Sequence, residues 1–555
     1  MKFTGYDLPF RLQVRKRIVH SPGVAQKYSY EHVTATPGDC CDTPSSGNFG
    51  APSVARMVTR KRAQGRVVNS WMILIVFLGI VIASADGLTR ALNLELELAP
   101  PQPLEYEPYR AGFLLAGVTL PLMFAYARRA RVPLAEALFL WFVFCTTAYM
   151  KDFSYLRLPG TPLFVTDVVL MILVVACFLP HRRSSSPPVA LNILLALFVT
   201  AGALAAVRGF LGHGEPKLVL RDSALVGYSL FLLVGYQLLR SWLAIKRAAI
   251  WFLLGTALSI LNGLCWFVVA PEQRRFVFPG IYVLVSLIGV LVMMVKRWIR
   301  PRVGWPLAIF FSLGLLLANM RSLFVALAVV SLLALARLGL FRGSIRSARL
   351  ATAVAAATTL MCLFFFLFFH FQAGRNLTLR VANNLASGVL HSSDDATWQF
   401  RRMAWDEAWK RFRECPSAGE GFGVPFNFDI WDNDPRPHNT FLTVLYKMGL
   451  VGFLPLFALL CYFFCVSLRA VHRNAKNRHI SFLQALLLAQ AAFCVFGTAN
   501  FVFESPYVAS LFWAGLGVGF HMITKFDVEH LLRGFVNRRG MQSAFGKFST
   551  QGAAQ

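Results

Sequence analysis

The chain has 555 residues, 56% of them hydrophobic and 15% charged, with a mean hydropathy of +0.55 and a formal net charge of +28 at pH 7. A water-soluble chain of this length carries far more charge, so an ordinary soluble multidomain protein is excluded. The Lys and Arg residues stand in short clusters between apolar runs, with no RNA-binding or helix-turn-helix pattern beside them, which argues against nucleic acid as a partner and for the lipid bilayer.

Apolar runs of about 17–25 residues are the length that crosses a hydrocarbon core of roughly 30 Å as a helix, and such helices satisfy their own backbone where lipid cannot. The predicted fold is an all-α, polytopic transmembrane bundle of about 12–14 spans. Taken in chain order, residues 1–66 form a basic tail that reads as disordered and cytoplasmic. Within it, Met57 followed by Arg60-Lys61-Arg62 resembles a natural start, so residues 1–56 read as a disordered tail or as upstream of the native N-terminus. Spans follow near 67–85, 111–127, 133–150, 162–180, 189–207, 222–239, 248–270, 278–295, 304–319, 322–337 and 350–371, making residues 67–371 the first eleven helices. Residues 372–437 form one large outer loop, residues 438–524 hold three further spans near 440–468, 480–503 and 507–524, and residues 525–555 are a cytoplasmic tail.

The positive-inside rule tests the count, because each added or lost span reverses every later side. Arg60-Lys61-Arg62, Arg128-Arg129-Ala130-Arg131, Arg182-Arg183, Lys246-Arg247, Lys296-Arg297, Arg342 to Arg349, Arg469 to Arg478 and Arg533 to Arg539 then all fall on one side. The ten cysteines are scattered, and Cys415 is the single one in the large loop, so all ten read as structural and no metal-ligand pattern emerges.

The loop carries the chemistry. Ala396 to Phe412 has helical spacing, with Trp398, Arg402 or Met403, Trp405 and Trp409 recurring along one side. Pro416-Ser417-Ala418-Gly419-Glu420-Gly421-Phe422-Gly423 is a glycine-spaced turn, expected to bring backbone close to a ligand. Arg436-Pro437-His438-Asn439 leads into the twelfth span. At 100° per residue, Gly449 lies about 20° from His438 around the axis and Gly452 about 40° away on the other side, so both sit beneath the histidine on one helix face with Leu445, where small residues admit a neighbouring helix.

His438-Asn439, nine residues, Gly449-x-x-Gly452 resembles the signature of the bacterial O-antigen ligase and polymerase superfamily. Trp405 and Pro416-x-x-Gly419-x-Gly421-x-Gly423 resemble its periplasmic loop, and Leu163 to Val168 resembles, more weakly, an early span start of that family. The resemblance covers residues 398–455 best. It implies a GT-C-like glycosyltransferase, needing no metal or other cofactor, that moves a glycan from undecaprenyl diphosphate to lipid A core or to a lipid-linked glycan at the periplasmic face. Arg221, at the start of the sixth span, and Arg321, in the turn Asn319-Met320-Arg321, stand where the family carries diphosphate-binding arginines. His438 is then general base or a further diphosphate contact. Arg401, Arg402 and Arg436 are secondary substrate contacts, and Asp394, Asp395, Asp429, Asp432 and Asp434 are alternative bases. Asn439 and the glycines Gly419, Gly421, Gly423, Gly449 and Gly452 are structural. Ligase and polymerase, the latter of O-antigen or of exopolysaccharide repeat units, share the motif. A flippase would place ionisable groups near mid-membrane in broken helices, and a peptidoglycan polymerase is matched by architecture alone.

Overall fold

A computed structural model describes residues 74–81 in part, 110–157, 163–178, 187–212, 214–269, 280–336, 396–426, 437–475 and 477–527, all within one compact unit, Arg60–Gln555. The predicted N-terminal tail, residues 528–555 of the predicted C-terminal tail, the span at 350–371, Arg436 and the five loop aspartates lie outside the described residues. Among the described residues there is no named strand, only an isolated bridge between Arg157 and Phe164.

The helices are α1 (Arg110–Ala130), α2 (Leu134–Ser154), α3 (Val165–Phe178), α4 (Val189–Leu211), α5 (Pro216–Gly227), α6 (Phe231–Leu238), α7 (Trp242–Val269), α8 (Gly280–Val295), α9 (Pro301–Ala318) and α10 (Arg321–Ala336). They continue with α11 (Ala396–Glu414), α12 (Thr440–Arg473), α13 (Ile480–Gly497) and α14 (Pro506–Asp527). Among the described residues, eight segments are long and apolar enough to span a membrane, and α3, α8 and the start of α10 are shorter apolar helices. Large apolar side chains such as Val175, Phe178, Leu204, Leu211, Leu454 and Phe457 remain more than half exposed. That surface is compatible with lipid and not with water. The protein is a polytopic helical membrane protein.

Proline and glycine set several helix boundaries. Pro188 precedes α4, and Pro216 and Pro301 open α5 and α9, where the missing N–H costs nothing. The sixth predicted span therefore begins six residues earlier than expected, and α5 runs through a 3-10 turn at Tyr228–Leu230 into α6. Gly235 of α6 and Gly517 of α14 pack backbone to backbone. A Cβ on Gly235 would lie 2.1 Å from the Ala514 carbonyl oxygen, and one on Gly517 would lie 2.0 Å from that of Leu232, the close approach that small residues permit in membranes.

The two rims of the bundle differ in chemistry. At one, Trp242 stacks on His479 at 4.4 Å, while Lys246 and Arg478 lie over the Trp298 ring and Lys525 over Trp242. Arg247 pairs there with the buried Glu136 at 3.0 Å. This is an aromatic and cationic belt of the kind found where helices meet headgroups. Helix α12 leads away from the other rim, α13 returns to it, and the 498–505 turn there connects to α14.

Candidate active site

The second rim is organised by the first residues of α12. Asn439 is its N-cap, in extended conformation, with Oδ1 accepting the N–H groups of Phe441 and Leu442, both at 3.1 Å. That satisfies two donors a helix start leaves open. His438, one residue earlier, has φ 50° and so lies outside the helix in the left-handed region, an uncommon and mildly strained state for a residue with a Cβ. The helical-wheel expectation therefore fails. His438 does not share a helix face with Gly449 and Gly452, because the cap turns the chain at Asn439.

Two rings flank the imidazole. Phe501, in the α13–α14 turn, lies 4.5 Å away centre to centre, and Phe400 of α11 lies edge-on at 6.0 Å. Pro437 is fixed by Trp405, whose Nε1 donates to its carbonyl at 2.8 Å. Thr440 secures the other side, its hydroxyl donating to the Asn500 carbonyl (3.0 Å) and accepting the Val502 N–H (2.7 Å). Asn500 Nδ2 in turn donates to Ser322 Oγ at 2.9 Å. Ser322 follows Arg321, the first residue of α10, and Asn319 before it is a left-handed C-cap. The structure thus brings Arg321 and His438 to one rim, linked through Ser322, Asn500 and Thr440.

The glycine-spaced turn packs against the protein's own helices. Gly449 has φ 60° and ψ −161° and breaks α12 after two and a half turns. The 416–423 segment inserts at the break: Glu420 N–H donates to the Tyr446 carbonyl (2.7 Å), Gly421 N–H to Lys447 (3.0 Å), and the Leu450 and Val451 N–H groups donate back to Pro416 and Ser417. On its far side Phe422 N–H reaches the Ala205 carbonyl, Arg208 Nη1 donates to the Gly419 carbonyl at 2.7 Å, and Glu215 N–H donates to Gly423. Gly419, Gly421 and Gly423 all have positive φ. Their close approach is to the protein's own backbone in α4, α5 and α12. Gly452 likewise makes room for Met448 of its own helix, whose side chain would lie 2.4 Å from a Cβ there.

Sequence reading missed the charge at the centre of this clasp. Asp222 and Lys447, both buried, form an ion pair between Oδ2 and Nζ, and the same Oδ2 accepts the Gly423 N–H at 2.9 Å. The signal was present in two ionisable residues of opposite sign inside apolar spans, where each calls for a partner. Arg221 stands beside the pair in the second turn of α5, 41% exposed, with Nη2 3.9 Å from Asp222 Oδ1.

Helix α11 lies against the first half of α12, and the buried contact is made by Ala404 and Ala408, with Phe426 and Tyr446. The tryptophan stripe is not the packed side: Trp398, Met403 and Trp409 are each at least 40% exposed. Two alanines four residues apart allow the close contact that indole rings would prevent. Arg401 is half-buried and Arg402 exposed on the same helix. Arg411 bonds Glu407 at 2.9 Å and Glu420 at 3.3 Å. Burial opposes its charge, but the two carboxylates outweigh that and hold its pKa above the ordinary arginine value. Among the described residues no group of three or more His, Cys, Asp or Glu side chains is placed to hold a metal ion.

Residues 306–457 match the family model described as O-antigen ligase. This match supports the O-antigen ligase-like superfamily. The matched segment runs from α9 into α12 and contains Arg321, Arg401, Arg402 and His438, while Arg221 and the α4–α5 side of the clasp lie before it. A search of curated proteins finds no match to the chain. The match points to a membrane glycan transferase of ligase or polymerase type.

Proposed function

We propose that this O-antigen ligase-like protein transfers a glycan from an undecaprenyl-diphosphate-linked donor to an acceptor hydroxyl of lipid A core. The reaction takes place at the periplasmic face of the bacterial inner membrane, with both termini of the chain in the cytoplasm. The observation that carries this reading is that His438 and Arg321 meet at one rim. His438, outside its helix between Phe400 and Phe501, is joined to the start of α10 at Arg321 through Thr440, Asn500 and Ser322. Arg221 is tied to the same helix α12 through Asp222 and Lys447.

The chemistry follows from the groups. The acceptor oxygen attacks the anomeric carbon, and the bond from that carbon to the diphosphate oxygen breaks with its electron pair going to undecaprenyl diphosphate. Arg221 and Arg321 bind the diphosphate, since a guanidinium makes forked, charge-assisted hydrogen bonds to phosphate oxygens. Fixed cations act most strongly on charge that builds up as the bond breaks. His438 takes the proton of the acceptor hydroxyl, a role worth roughly 10²–10⁴-fold in rate. Arg401 and Arg402, on the helix that carries Phe400, contact the acceptor glycan.

The test is transfer by the purified chain from undecaprenyl-diphosphate glycan to lipid A core in detergent. His438→Ala, Arg221→Gln and Arg321→Gln are each expected to abolish most product. Wild-type transfer by His438→Ala would overturn the assignment of the base. Extension of one lipid-linked glycan by another, with none reaching lipid A core, would make the site a polymerase instead.

A further inference from the structure

We propose that Lys447 is a positioning residue that engages Asp222 so that the Arg221 guanidinium stays available to the donor diphosphate. The inference rests on the diphosphate role given to Arg221 above.

Asp222 follows Arg221 directly on α5, and an acid beside a phosphate-binding arginine is a hazard. Left alone, the carboxylate would draw in the guanidinium in the forked geometry that arginine favours, and it would repel the diphosphate itself. The structure removes both effects. Asp222 Oδ2 is taken by Lys447 Nζ and by the Gly423 N–H. The remaining oxygen, Oδ1, lies 3.9 Å from Arg221 Nη2, which is too far for a hydrogen bond. Arg221 is left 41% exposed, whereas the Asp222 and Lys447 side chains are 7% and 5% exposed. Lys447 is therefore closed off from substrate and acts only through its neighbour. Its position is built in: it precedes the Gly449 break by two residues, and its own carbonyl accepts the Gly421 N–H of the inserted turn. In so dry a setting the charge of an uncompensated carboxylate is poorly screened at the distance of Arg221.

The experiment measures binding of undecaprenyl diphosphate to the full chain in phosphatidylcholine nanodiscs, with the donor KM and kcat in parallel. Lys447→Met, which leaves Asp222 unpaired, is expected to weaken binding roughly tenfold or more and to raise KM more than it lowers kcat. Asp222→Asn combined with Lys447→Met removes both charges and is expected to return binding to within about threefold of wild type. If the pair served only to hold the helices together, the double variant would bind as poorly as Lys447→Met, and that result would overturn the proposal. Should Lys447→Met fail to fold, Asp222→Asn alone decides. Its amide oxygen still accepts from Gly423, so binding at least as tight as wild type supports the charge role, and weaker binding defeats it. An Arg221→Gln variant separates the two ideas. If it binds undecaprenyl diphosphate as wild type does, the diphosphate role of Arg221 has failed; if it binds weakly while Lys447→Met binds normally, the lock alone has failed.

Discussion

Replacing Gly449 by alanine should cost more stability than any other single methyl group added to the described helices near the site. The residue sits at φ 60° and ψ −161°, a region open essentially to glycine alone. The new Cβ would lie 2.4 Å from the Ser417 carbonyl oxygen and 2.5 Å from the Gly419 nitrogen, both backbone atoms that have no rotamer to give way with. Backbone strain of about 1–3 kcal/mol and overpacking of about 1–3 kcal/mol sum to about 2–6 kcal/mol. The four hydrogen bonds that seat the 416–423 turn on either side of the break weaken together. Equilibrium unfolding of purified protein in mixed detergent micelles reads the loss, with Gly117→Ala as the control. That glycine, exposed on α1, has nothing within 4 Å of a Cβ, so alanine there should be neutral or stabilising by up to about 1 kcal/mol. If Gly449→Ala unfolds within about 0.5 kcal/mol of wild type, the size of an ordinary surface change, the break is not what seats the turn.

Three further outcomes follow from the same rim. Asn439→Ala should destabilise the chain by about 0.5–2 kcal/mol by uncapping α12, and Asn439→Asp should not; the same unfolding assay compares them. Thr440→Val leaves the Asn500 carbonyl and the Val502 N–H without their partner, at a cost of about 1–3 kcal/mol, and transfer assays should show kcat falling as Phe501 and Ser322 lose their common anchor. With Cys415 as the sole cysteine, a membrane-impermeant maleimide should label intact spheroplasts as fully as lysed ones, because Cys415 is exposed just beyond α11. Labelling that requires lysis would put the site on the wrong side of the membrane.

The spans were legible because hydrophobic length is a property of each run by itself. The α12 motif was legible for the same reason: Asn439, Gly449 and Gly452 lie close together in the chain. What could not be read was direction. A helical wheel drawn through His438 assumes a helix that the Asn439 cap has not yet begun, and a glycine pattern says that backbones approach without saying which backbone. Asp222 and Lys447 were visible as letters but not as a pair, since nothing local connects positions on α5 and α12. Arg208 and Gly419, which also meet across a long separation, escaped notice for the same reason. Ala404 and Ala408 went unread because small residues carry no pattern of their own beside the tryptophans around them.

The separation between Asp222 and Lys447 also bears on how the protein is made. They are 225 residues apart, and at typical bacterial rates of about 5–20 residues per second the ribosome needs roughly 11–45 s to span that distance. For that interval the carboxylate of α5 lacks its cation, because Lys447 does not yet exist. The early helices must wait for α12 to arrive before this pair can form. Biogenesis of this rim is therefore a late event, completed by the last quarter of the chain, and a ribosome stalled before α12 would leave an inserted but unassembled bundle for membrane quality control to find.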